Sequence, residues 1–211
     1  AIMDSDGANH RFITNGQSTA LTPRFSPNYK SILYLSYVDG NPRIYVYDID
    51  SGRQRLITQS NGPTFAPRWS PDGQTILYSM AVSGNTDVYK ISASGNGTPV
   101  KLTSSPGIDV GGSFSPDGRQ IVFESDRSGS QQIYVMNADG SDVRRVTQSP
   151  AIDTEAYFTP DGNSLLFTSP ISVSVEGPVK VIEEMATGSK EVWAIQYVST
   201  QPSATARPTP P

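Results

Sequence analysis

Phe114-Ser115-Pro116-Asp117-Gly118 returns along the chain as Phe25-Ser26-Pro27, Trp69-Ser70-Pro71 and Phe158-Thr159-Pro160. The four aromatic residues stand 44, 45 and 44 residues apart. A sustained period of that length marks one supersecondary unit repeated, and periods of about 40–45 residues made of short strands are those of propeller blades.

The third copy spells out the unit. Ser115-Pro116-Asp117-Gly118 is a turn, because proline presets φ, Asp bonds its own backbone and Gly accepts positive φ. Gln120 to Ser125 then reads as a strand, Asp126 to Ser130 as a polar loop, and Gln132 to Met136 as the next strand. Asn137-Ala138-Asp139-Gly140 makes a hairpin turn into a closing strand that ends at Thr147. The hairpin turn recurs at Asp6-Gly7, Ser51-Gly52, Gly95-Asn96-Gly97 and Thr187-Gly188, and the closing strand at Arg11–Thr14, Leu56–Thr58 and Lys101–Thr103. In the fourth copy a longer loop, Pro170 to Gly177, precedes 179–184 as third strand and 190–195 as fourth.

The expected fold is therefore all-β: a propeller of four-stranded antiparallel blades at 15–58, 59–103, 104–147 and 148–195, preceded by an outer hairpin at 1–14. Residues 196–211 are rich in Pro, Ser and Thr and read as a disordered tail. The chain opens inside a third strand, as an excised or processed piece would. The tail would have to supply inner strands to the first hairpin, and its prolines oppose that. An open arc is expected, whose free blade edge could pair with a second copy or a partner.

Composition narrows the function. A net charge of −4 over 211 residues, with Lys and Arg scattered singly, argues against nucleic acid and anionic lipid. No stretch approaches the roughly 20 apolar residues of a membrane span. The absence of Cys removes disulfides, thiolate metal sites and cysteine nucleophiles, and it leaves the compartment open. No cofactor is implied.

Several residues invite a catalytic reading and are better explained structurally. Asp72, Asp117 and Asp161 each occupy a turn that wants Asp. Asp126-Arg127 could recognise an anion, but an ion pair bracing the loop against a neighbouring blade is the simpler reading. Tyr34, Tyr45, Tyr47, Tyr78, Tyr89 and Tyr134 alternate with aliphatics and are expected to pack between blades. His10, the single histidine, has no Ser or Cys partner in sight. Glu183 and Glu184 are strand neighbours pointing to opposite faces, so they cannot act as a pair.

In a propeller the innermost strands converge on the axis, so residues just before each aromatic-Ser/Thr-Pro motif line the channel or its rim. Here these are Ala20-Leu21-Thr22, Thr64-Phe65-Ala66, Asp109-Val110-Gly111 and Asp153-Thr154-Glu155. Phe65 and Val110 are apolar groups in short polar settings; they serve either as binding anchors or as plugs that cap the core. Asp109, Asp153 and Glu155 could hold a hard cation, or be solvated rim carboxylates.

The run from Phe114 through Ile121-Val122-Phe123-Glu124-Ser125-Asp126-Arg127 to Gln132-Ile133-Tyr134-Val135-Met136-Asn137-Ala138-Asp139-Gly140 resembles the TolB-type propeller repeat. The stretches 2–9, 21–27 and 64–73 are similar to the same family, and the resemblance covers roughly residues 1–165. It implies a periplasmic, non-enzymatic component of the Tol-Pal envelope-integrity system, whose propeller binds a peptidoglycan-associated lipoprotein and contacts other Tol proteins. Carried over through the motif, the binding loops are 60–68 and 105–113, with family contacts near Pro63, Ala66 and Val110. The implied partner-binding set is Pro63, Thr64, Phe65, Ala66, Arg68, Asp109, Val110, Leu21, Thr22 and Thr154. The family often carries His where Pro63 stands. The alternative is the substrate-gating propeller of a prolyl-oligopeptidase-type serine peptidase, which would need a hydrolase domain with a Gly-x-Ser-x-Gly elbow that these residues lack. A metal-dependent lyase would need a His-bearing ligand cluster and is the remotest reading.

Overall fold

The computed structural model describes residues 1–59 and 62–170, and beyond them the backbone of three strands at 174–175, 179–187 and 190–197. Positions 60 and 61 of the first binding loop, the side chains of the 171–195 region including Glu183 and Glu184, the turn at Gly188 and the Pro-rich tail lie outside the described residues.

Four sheets of four strands succeed one another. The first holds β1 (Ala20–Phe25), β2 (Ser31–Ser36), β3 (Arg43–Asp48) and β4 (Gln54–Leu56), paired in sequence order. The second holds β5 (Thr64–Trp69), β6 (Thr75–Val82), β7 (Asn85–Ser92) and β8 (Val100–Lys101) in the same order. The third repeats it with β9 (Asp109–Phe114), β10 (Gln120–Ser125), β11 (Gln132–Asn137) and β12 (Arg144–Arg145). β13 (Thr147–Gln148) follows. The fourth sheet is built on β14 (Thr154–Phe158) and β15 (Ser164–Ser169). Innermost strands touch in succession, β1 on β5, β5 on β9 and β9 on β14, so the sheets are blades of an all-β propeller arc.

The fourth blade departs from the expected order. Its strands run β14-β15-β18-β17, so β18 (Lys190–Tyr197) is the third strand and β17 (Val179–Thr187) is the outermost. The cause is the connection after β15. It carries β16 (Ser174–Val175), which pairs antiparallel with β13 of the preceding blade, so the chain enters its last hairpin from the far edge. β18 then returns antiparallel to β15, with Phe167 opposite Trp193.

Residues 1–14 fold as a hairpin held by one bridge between Ile2 and Arg11 rather than by two full strands. Ile2 and Ile13 still cover Ile32, Tyr34 and Tyr45 of the first blade, which is the place of a preceding blade's outer strands.

The cores lie between blades. Leu33, Leu35, Ile44 and Val46 meet Ile76, Tyr78 and Ile91 across the first gap. Leu77, Val88 and Leu102 meet Ile121, Phe123, Tyr134 and Met136 across the second. Val122, Ile133 and Val135 meet Ala156, Phe158, Leu165 and Phe167 across the third. Of the six tyrosines singled out in the sequence, Tyr78, Tyr89 and Tyr134 sit in or against these gaps, while Tyr34, Tyr45 and Tyr47 pack with Ile2 and Ile13 of the first hairpin; Tyr34 stacks on Tyr45 and Tyr78 on Tyr89.

Three devices explain the recurring polar letters. In the last three turns the hydroxyl donates to the acidic side chain two residues on, as from Ser70 to Asp72 at 2.5 Å and from Ser115 to Asp117 at 2.6 Å, and in the first Ser26 donates to the Asn28 amide oxygen at 2.7 Å. The Asp oxygen then accepts the backbone N–H of Gln74 at 2.9 Å or Arg119 at 3.0 Å. The hydrogen bonds from Ser70 and Gln74 hold the Asp72 carboxyl below the usual range, as those from Thr159 and Asn163 do at Asp161. These carboxylates are turn residues. The second device is the Thr ending each closing strand: Thr58, Thr103 and Thr147 each accept, at 3.0 Å, an N–H of the third strand, from Ile44, Val88 and Ile133. The third is a latch between blades. Arg11 donates to the Ile49 carbonyl at 3.3 Å, Arg55 to Ala93 at 3.0 Å and Lys90 to Ala138 at 2.7 Å.

One repeat position carries a defect that can be tested. The hydroxyls of Tyr34 and Tyr78 are buried without a hydrogen-bond partner. Burial, then the charges of Tyr45 and Tyr47, push the Tyr34 phenol up to about 12, and burial raises Tyr78 as well. The next blades carry Phe123 and Phe167 at the equivalent place. Tyr78→Phe is expected to raise stability by about 1 kcal/mol, because it removes an unsatisfied group and keeps the stack. In thermal unfolding that is a midpoint gain of about 2–4 °C for a domain of this size.

Candidate functional site

Each innermost strand is broken by a bulge at the same place. Register slips between Leu21 and Arg24, Phe65 and Arg68, Val110 and Ser113, and Thr154 and Tyr157. The residue that absorbs the slip has positive φ in every blade: Thr22 (φ 51), Ala66 (φ 51), Gly111 (φ 72) and Glu155 (φ 59). Only one of the four is glycine. The other three hold a left-handed conformation that side chains disfavour, and such outliers concentrate where a bulge re-aims side chains at a site.

The bulges form one end of the arc, with the loops that follow the second strands. Ala20 pairs with Ser36 and Asp109 with Ser125, so strand starts and second-strand ends share this rim. The Ser-Pro-Asp-Gly turns occupy the opposite end.

Of the residues expected at the rim, Pro63, Leu21 and Thr22 are exposed, while Ala66, Val110 and Thr154 are half-buried beside their bulges. Phe65 packs against the core between the first two blades, together with Trp69, so it caps the core. Thr64 and Asp109 have no exposed surface. Thr64 donates its hydroxyl to the Pro42 carbonyl at 3.0 Å. Asp109 receives the Arg127 guanidinium at 3.0 Å on both oxygens and the Ser105 hydroxyl at 2.9 Å. Both residues shape the rim from within and offer a partner nothing to touch. Arg68 is half-buried deeper along β5.

The Arg127 pair corrects the expectation for that loop. Asp109 and Arg127 belong to the same blade, so the ion pair fastens the β10–β11 loop to its own innermost strand. Arg127 also lies over the rings of Phe123 and Tyr134, 5.3 and 5.0 Å from their centroids. Asp126 accepts the Ile108 N–H at 2.6 Å in the same blade. Among the described residues no group of three or more His, Cys, Asp or Glu is placed to hold a metal ion.

Two residues absent from the expected set are prominent here. Ile108 and Ile152 immediately precede the buried Asp109 and Asp153, and stand 49% and 58% exposed. They are equivalent positions of adjacent blades, 44 residues apart. Asp126 fixes the backbone of the first. Gln132 fixes the loop of the second by donating to the Ala151 carbonyl at 2.8 Å. With Leu21, Val38 and Val82, also exposed, they make the rim apolar at several blades.

Glu124 braces the last bulge. Its carboxylate accepts the Glu155 N–H at 2.6 Å and the Gln131 amide at 2.7 Å. Burial raises its pKa, only partly offset by those hydrogen bonds. A raised acid stabilises the fold fully below its unfolded pKa, about 4.3, and that contribution is lost as pH rises through the folded value. Glu124→Gln removes this dependence. In urea titrations the stability of wild type relative to the variant is expected to fall as pH rises above the unfolded value of about 4.3, and to level off once the buried carboxyl has ionised.

The TolB beta propeller domain model matches residues 1–149. Over 49 residues the chain is 82% identical to the Tol-Pal system protein TolB 1 of Novosphingobium aromaticivorans, a match spanning 23% of this chain and 11% of that protein. The Zymomonas mobilis Tol-Pal system protein TolB is 69% identical over 49 residues, again 11% of its length. The crystal structure of TolB from Acinetobacter baumannii superposes with a TM-score of 0.68 at 29% identity, over 82% of this chain and 44% of that one. A prolyl endopeptidase structure matches at 16% identity with a TM-score of 0.56, which is a likeness of fold alone.

Proposed function

The chain belongs to the TolB beta propeller domain family, and on that premise we propose that it is a non-enzymatic interaction scaffold of the Tol-Pal envelope system, working in the periplasm. Its partner on this reading is the soluble domain of a peptidoglycan-associated lipoprotein, seated on the bulged rim. The observation that carries the reading is the left-handed bulge repeated at 22, 66, 111 and 155, with exposed Leu21, Ile108 and Ile152 beside it. A binding anchor needs an apolar group held rigidly in a polar surround, and side-chain brackets from Asp126 and Gln132 supply that rigidity. Thr22, Pro63, Ala66, Val110 and Thr154 make up the rest of the contact surface. Thr64, Phe65, Asp109 and Arg68 support it from below.

The test is calorimetric titration of the soluble lipoprotein domain into the folded chain. One-to-one binding at micromolar affinity or tighter is the expected result. No heat across two temperatures, with near-ultraviolet dichroism showing intact packing, would overturn the assignment.

A further inference from the structure

Below the rim, two arginines occupy the same place on neighbouring innermost strands. Arg24 stands opposite Leu33 and Arg68 opposite Leu77, each on the residue that follows the bulge. The strands are fastened together at this height, since the Trp69 indole donates to the Arg24 carbonyl at 3.3 Å. The equivalent positions of the next blades are Ser113 and Tyr157, so the positive charge is confined to one sector of the axial wall.

Most other cations of the blades are engaged. Arg55 and Lys90 latch neighbouring carbonyls, Lys101 pairs with Asp87 at 2.8 Å and Arg127 with Asp109 at 3.0 Å. Among the described residues neither Arg24 nor Arg68 has a carboxylate within ion-pair distance. The side chain of Arg68 makes one hydrogen bond, to the Pro67 carbonyl at 3.1 Å. The acid whose charge reaches it is Glu124, whose carboxylate is committed to Gln131 and to the Glu155 N–H. Burial first, and then the charge of Arg24, hold the Arg68 guanidinium below its ordinary value. Arg24 is exposed and Arg68 half-buried, and two like charges on adjoining strands cost stability unless something neutralises them.

We propose that Arg24 and Arg68 form an oxyanion site in the axial wall, taking a carboxylate or phosphate group presented along the axis. Paired guanidinium forks match planar and tetrahedral oxyanions, and such charge-assisted contacts are about twice as strong as neutral ones. The inference stands on the pairing of two strands and does not depend on the lipoprotein reading.

The experiment follows the side-chain Nε–Hε resonances of the arginines by NMR while inorganic phosphate, or in a second arm a tetraglutamate peptide, is added at constant ionic strength. Saturable shifts confined to Arg24 and Arg68 are expected, and the arm that produces them names the source of the oxyanion. Arg24→Gln should weaken binding by about 10–100-fold, the worth of one charge-assisted contact. The same variant should leave unfolding stability unchanged or raised, because it relieves repulsion. The proposal is overturned if both anions leave these resonances unmoved or shift them no more than those of exposed Arg53. A loss of stability in Arg24→Gln would also overturn it, by making the guanidinium a structural brace.

Discussion

Arg127→Ala is expected to lower unfolding stability by about 3–5 kcal/mol, among the largest effects open to a single polar substitution here. Asp109 is wholly buried, and its two oxygens meet the Arg127 guanidinium at 3.0 Å. Removing the cation strands a carboxylate that cannot be rehydrated without opening the rim. The loss has a second part, since Arg127 also covers the faces of Phe123 and Tyr134. A paired change separates the two. Asp109→Leu with Arg127→Met removes both charges and keeps the apolar cover, and should lie within about 1 kcal/mol of wild type, as replacing a buried pair by apolar groups often does. Urea titrations with an unchanged slope would attribute the shift to stability rather than to a change in the unfolded state. A loss below 1 kcal/mol for Arg127→Ala would mean that the pair is not desolvated.

The second large effect is on binding. Ile108→Asp together with Ile152→Asp should weaken the lipoprotein complex by a hundredfold or more, because hot-spot truncations reach about 2 kcal/mol or more each. Stability should move by no more than about 0.5 kcal/mol per site, as for other exposed positions. Phe65→Ala should do the reverse, costing the fold through lost packing between blades one and two. The two sets of variants thus divide rim contact from rim support. Equal affinity in wild type and the double variant would remove both isoleucines from the interface.

The blades were legible because their signals are local. Ser-Pro-Asp-Gly closes its own turn, and Asp-Gly closes its own hairpin, within four residues. The Tyr and aliphatic alternation fixes which face each strand buries. The strand exchange in the last blade was not legible. A hairpin at 179–197 says nothing about which of its strands meets β15; that depends on where the preceding connection is pinned, and β16 pins it to β13 by a pairing far away in sequence.

The site was half legible for the same reason. The axial position of the residues before each motif follows from the repeat. The bulge does not, because three of its four left-handed residues are Thr22, Ala66 and Glu155, none of which advertises positive φ. Asp109 resembled a rim carboxylate because its partner lies 18 residues on, across a loop. Phe65 stayed open between anchor and core cap because a single apolar letter does not reveal which side of the strand it takes beside a bulge. Ile108 and Ile152 could have been found: they are apolar letters at the repeat spacing, each placed just before an Asp.

The most direct test of the rim as docking surface is amide hydrogen exchange of the chain, free and saturated with the soluble lipoprotein domain. New protection is expected in 20–22, 62–66, 107–111 and 151–155, and in the β2–β3 and β6–β7 loops beside them. The Ser-Pro-Asp-Gly turns at the opposite end should exchange as before. Protection concentrated on those turns, or on the outer strands alone, would contradict the account.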